Sequence, residues 1–82
     1  MSIEIDKAKL LYNLLRRKKI GGNYDRLEHL KRFDKKAIND LFKQGLLISP
    51  AKKKFITISV NPRKVEEAKE FVRNTLPELK GI

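Results

Sequence analysis

Hydrophobic and polar positions recur along this chain with two different periods, and the switch between them lays out its architecture. Ala8, Leu11 and Leu15, with Leu10 and Leu14 beside them, return at helical spacing and form a broad apolar face. Asp6 offers a cap before that face and Gly21 a left-handed stop after Ile20, which predicts a first helix over about residues 6–20. Asp25 with Glu28 three residues on gives a capping-box-like start. Leu27 and Leu30 behind it make one narrow stripe, so a short second helix is expected over about residues 25–31. Asp34 caps a third helix, residues 34–44, with Ala37, Ile38, Leu41 and Phe42 inward and Gly45 as its stop. Phe33 is expected to be buried in the corner between the two.

Beyond Gly45 the period falls to two. In Phe55-Ile-Thr-Ile-Ser-Val60, the residues Ile56, Ile58 and Val60 share one side and Phe55, Thr57 and Ser59 the other. Leu46–Ser49 is more uniformly apolar, and Pro50-Ala-Lys-Lys-Lys54 joins the two runs into a hairpin over residues 46–60. Asn61 then caps a last helix, residues 61–76, with Pro62 at its first position, where a missing N–H costs nothing. Its stripe is Val65, Ala68, Val72 and Leu76, with Phe71 at the edge and Pro77 as terminator. Glu66–Lys69, Arg63–Glu67 and Glu70–Arg73 are spaced for mixed-sign surface pairs. The expected fold class is α+β in a single domain over residues 1–82. It has three helices, a two-stranded hairpin and a C-terminal fourth helix.

Composition narrows the function. Apolar residues make up 40% of 82, enough for one small core. No apolar run approaches the ~20 residues that span a bilayer, and the N-terminus lacks the order of a secretory signal. The absence of cysteine excludes disulfides and thiolate zinc sites. A soluble, cytoplasmic protein is expected. Its net charge is +10, unevenly spread: +5 over residues 1–33, +3 over 46–60, and +1 on each remaining segment. Excess cations on the front part and the hairpin point to a polyanionic partner.

Arg16-Arg-Lys-Lys19 suits the negative end of a helix dipole, yet four cations exceed what a dipole needs, and phosphate contact is expected. Arg26, Lys31 and Arg32 extend that set. Lys35, Asn39 and Lys43 stand at i, i+4 and i+8 on the third helix, with Lys36 beside them. Asparagine can pair bidentately with adenine, and lysine reaches guanine or phosphate. Lys52, Lys53 and Lys54 would repel one another without counter-ions, and a hairpin tip turns better on Asn-Gly or Asp-Gly. Gly21-Gly22-Asn23 is a turn and not a phosphate-cradling loop, since the Gly-Lys-Ser/Thr ending is missing. His29 is the one histidine and sits among Arg26, Lys31 and Arg32, where phosphate binding or plain solvation fits better than catalysis. No spaced carboxylate pair or ligand cluster is evident, so no enzyme, cofactor, metal or small-molecule ligand is expected.

The order helix, helix, helix, strand, lysine-bearing tip, strand, helix resembles the winged helix-turn-helix superfamily across nearly the whole chain. Three stretches are similar to small basic archaeal winged-helix proteins: Leu11-Tyr-Asn-Leu-Leu-Arg-Arg-Lys-Lys-Ile-Gly-Gly22, Lys36-Ala-Ile-Asn-Asp-Leu-Phe-Lys-Gln-Gly-Leu-Leu47 and Ile58-Ser-Val-Asn-Pro-Arg-Lys64. The resemblance implies that Lys35, Lys36, Asn39 and Lys43 enter the major groove of double-stranded DNA and that the Lys52–Lys54 loop tracks its backbone. The expected role is that of a transcription regulator or chromatin-associated factor of the nucleoid. A homodimer through helix 1 or helix 4 stays open, with Phe71, Leu76 or Leu79 as contacts. The alternative is a protein-interaction module, in which an acidic partner uses the same lysines.

Overall fold

A computed structural model of the protein describes residues 3–50, 54 and 56–79. The apolar stripe around Leu11 folds as helix α1 (Ile3–Arg16), followed by strand β1 (Asp25–Arg26) and a 3-10 turn, Leu27–Leu30. Helix α2 (Lys35–Lys43), strands β2 (Leu47–Ile48) and β3 (Thr57–Val60), a 3-10 turn at Pro62–Lys64 and helix α3 (Val65–Thr75) complete the order. The fold is α+β: among the described residues, three α-helices and a three-stranded antiparallel sheet in the order β1-β3-β2. Asp25 faces Ile58 and Arg26 faces Thr57 on one flank of β3, while Leu47 faces Val60 and Ile48 faces Ser59 on the other. Helix α1 lies against both α2 and α3, and Leu10, Leu11, Leu14, Leu41, Leu47, Ile58, Val60 and Val72 join in one core.

The expected second helix over residues 25–31 is not there. Its first two residues are a sheet edge, and the next four make a single 3-10 turn. The capping box fails because Asp25 is drawn inward, where its carboxylate accepts from Arg17 and His29 (2.6 and 2.8 Å), and Leu27 N donates to Ile56 O at 2.9 Å. Tertiary pairing overrides a weak local preference. The sheet accordingly has three strands where two were expected. Central β3 is covered on both faces, so Thr57 and Ser59 are as buried as Ile58. Ser59 Oγ donates to Gly21 O at 2.8 Å, and Thr57 Oγ1 lies 3.3 Å from Ser49 Oγ. Ile56, expected on one side with Ile58 and Val60, does not share their burial and is 57% exposed.

Helix α1 also begins and ends earlier than expected. Asp6 is not its cap; the carboxylate accepts from Asp34 N at 3.2 Å and ties the start of α2 to α1. The stop falls at Lys18, which takes φ +57°, with Lys19 N donating to Leu14 O and Lys18 N to Leu15 O. This is the Schellman arrangement, with lysine where glycine is usual. Asn23 Nδ2 donates to Lys18 O at 2.7 Å and braces the turn. Lys18→Gly removes the left-handed strain and is expected to stabilise the fold by about 1 kcal/mol, read as a rise in Tm of several degrees. An unchanged or lower Tm would show that the turn carries no strain.

The last helix starts later than expected: Asn61 Oδ1 accepts from Arg63 N at 3.0 Å and caps the 3-10 turn Pro62–Lys64, and α3 itself begins at Val65 after Lys64, which makes no side-chain cap bond. Its mixed-sign neighbours do not close into ion pairs among the described residues. Lys7 on α1 is only 3% exposed, with Nζ 3.2 Å from Glu4 Oε1 and 5.6 Å above the Phe71 ring of α3. The seam between α1 and α3 thus carries a lysine stem as packing material.

Candidate nucleic-acid interface

Helix α2 is fixed at both ends. Asp34 Oδ1 accepts from Lys36 N at 2.8 Å, an N-cap that satisfies an otherwise unpaired donor. At the other end Gly45 takes φ +75°, and Leu46 N donates to Leu41 O at 3.0 Å. Lys64 Nζ reaches Gln44 O at 3.2 Å and places a cation on the negative end of the helix. Ala37, Ile38 and Leu41 bury the inner side. Lys35, Lys36, Asn39 and Lys43 are all exposed on the outer side. None of the three lysines has an ion-pair partner among the described residues. From residue 35 to 43 the line runs about 12 Å, or three to four base-pair steps.

The start of α2 is joined to the root of the hairpin by a groove of about 610 Å³. Leu27, Leu30, Phe33, Ile38 and Ile56 line it together with Glu28, Lys31 and Lys35. A smaller recess of about 150 Å³ continues it past Lys35 to Asn39. Lys31, Lys35 and Asn39 therefore share one side with Ile56, two residues beyond the exposed Lys54. Lys52 and Lys53 lie outside the described residues.

The run Arg16–Lys19 is placed elsewhere. Lys19 O accepts from Val60 N at 2.9 Å, at the end of β3 away from Thr57, where the chain arrives from the hairpin. The length of β3, about 10 Å, separates them along the sheet. Arg16 and Lys18 are exposed and Lys19 is half-buried. Arg17 is already engaged: Nε donates to Asn13 Oδ1 at 2.8 Å and Nη2 to Asp25 Oδ2 at 2.6 Å. Asp25, 8% exposed, also accepts from Arg26 N and from His29 Nδ1, each at 2.8 Å, which fixes the proton of His29 on Nδ1. Burial pushes the Asp25 carboxyl up, but the bonds from His29, Arg17 and the Arg26 backbone outweigh it and hold the group down at about 2. Arg26 pairs with Glu28 at 3.0 Å, and Arg32 lies 5.0 Å over the Phe33 ring. Arg17 and His29 are thus structural partners before they are phosphate ligands.

Two cations were overlooked in the sequence. Lys9 lines a cleft of about 370 Å³ with Asp6, Tyr12, Asn13, Arg32 and Phe33, next to the groove through their shared Phe33. Lys9 and Asn13 on α1 and Arg17 just past its end stand at i, i+4 and i+8, a line that was legible. Lys64 gave no signal, because its role depends on where α2 ends. Among the described residues no group of three or more His, Cys, Asp or Glu gathers as a metal site, and no helix is long and apolar enough to cross a membrane. No protein-family model matches the chain, and no match was found among curated proteins or solved structures.

Proposed function

We propose that the protein binds double-stranded DNA as a winged helix-turn-helix, with α2 in the major groove and the lysine-bearing hairpin against the flanking phosphates. The observation that carries this reading is the outer face of α2, three uncompensated lysines and an asparagine on a helix anchored at both ends. The chain order supports it as well: a 3-10 turn, α2, and then a hairpin whose inner strand β3 also pairs with β1. That order suits a module that lays a solvent-facing helix on a duplex. Phosphate contacts from lysines supply affinity, and Asn39 is the side chain equipped to discriminate bases. A regulator or chromatin-associated factor is the role that follows.

Selection from random duplexes tests the reading. The wild-type protein should enrich a short motif, and Asn39→Ala should alter that motif while keeping general affinity within a few fold. Equal losses on every sequence would make Asn39 a non-reader. Failure to retain any duplex at 50 mM salt would remove the proposal.

A further inference from the structure

The groove between the 3-10 turn, α2 and the hairpin root has properties that DNA reading does not use. Its floor is apolar: Leu27, Leu30, Phe33 and Ile38. Ile56, at 57% the more exposed of the two large hydrophobic side chains that stand out in solvent among the described residues, forms one wall. Phosphate gains nothing from such a surface, whereas apolar side chains do. The rim is cationic. Lys31 and Lys35 have no ion-pair partner among the described residues, and the one acid in the lining, Glu28, is tied to Arg26 at 3.0 Å. A second copy of the chain is a poor occupant, because two bodies of net charge +10 would bring like-charged rims together.

We infer that this groove docks an acidic segment of a partner protein, which inserts a large apolar side chain against Leu27, Phe33 and Ile56 while its carboxylates meet Lys31 and Lys35. Apolar anchor and complementary charge together give a patch of this size its specificity. Docking does not depend on the DNA reading. One consequence does rest on it: Lys35 serves both surfaces, so the segment and the duplex exclude each other.

The test is a selection of phage-displayed random twelve-residue peptides on the immobilised protein. Enriched sequences should place Asp and Glu around Phe, Leu or Trp. The best of them, synthesised with a fluorescein label, should bind with an affinity that falls as salt rises. Ile56→Asp should weaken it about tenfold or more, and so should Lys31→Glu with Lys35→Glu, while Lys69→Ala on α3 should not. Ile56 is exposed, so these losses are separable from unfolding by thermal melts of each variant. Absence of enrichment, enriched peptides without carboxylates, or equal binding to Ile56→Asp would overturn the inference. Protection of the groove by an oligonucleotide with unpaired bases, and by no peptide, would give it to nucleic acid instead. Duplex binding by the wild-type protein is measured separately, so the two claims fail independently.

Discussion

Replacing Lys52, Lys53 and Lys54 together by alanine should lower affinity for every duplex about a hundredfold at 0.15 M salt and flatten the log–log salt slope by about 3 units. The size follows from counter-ion release. Each phosphate neutralised frees roughly 0.9 of a condensed cation, worth about fivefold at this ionic strength, and three contacts multiply. The loss should be the same for all sequences, because a lysine tip on the backbone carries no base information. Fluorescence anisotropy across a salt series separates this from a change in fold. An unchanged slope would take the hairpin out of the interface and leave α2 as the sole contact.

Asp25→Ala should cost about 2 kcal/mol of folding stability, which for a chain of this size lowers Tm by about 10 °C. The carboxylate is the hub that holds the end of α1, strand β1 and the 3-10 turn together, through Arg17, His29 and the Arg26 backbone. Removing it deletes three hydrogen bonds made by a carboxylate that is 8% exposed. The pH dependence has a definite sign. The folded carboxyl sits at about 2, below the ordinary aspartate value, so its contribution is complete above that ordinary value. It is lost as pH falls from about 4 toward the folded value. Wild-type protein should therefore lose stability through this window more steeply than Asp25→Ala. Parallel acid profiles would show that the buried acid does not hold this corner.

Much of this architecture was legible because it is local. Asp34 and Gly45 punctuate α2 as their chemistry predicts, Asn61 and Pro62 open the 3-10 turn that leads into α3, and the polar line 35–39–43 faces solvent because Ala37, Ile38 and Leu41 take the inner side. What was missed is long-range. The capping-box pattern at Asp25 is real in sequence but loses to an arginine eight residues back and to the edge of β3, neither of which leaves a local trace. Gly21 was the obvious left-handed residue, and it does take φ +61°. The helix nevertheless turns at Lys18, which brings Lys19 and Ile20 beside Val60. Alternation across β3 set Ile58 and Val60 opposite Thr57 and Ser59, but the bonds that accompany burial of both hydroxyls, Ser59 to Gly21 and Thr57 with Ser49, lie outside that local pattern. For the candidate site, the lysines of α2 could be read from spacing. Their meeting with Lys31 and Ile56 across an apolar groove could not, since it depends on a turn mistaken for a helix.

The most direct measurement is an amide chemical-shift titration of the labelled protein with a short duplex. Perturbations should concentrate at Lys35, Lys36, Asn39, Lys43 and Lys54, with the exposed Glu66, Glu70 and Arg73 of α3 unmoved. Shifts gathered on α3, or none along α2 at saturating duplex, would contradict DNA binding through α2.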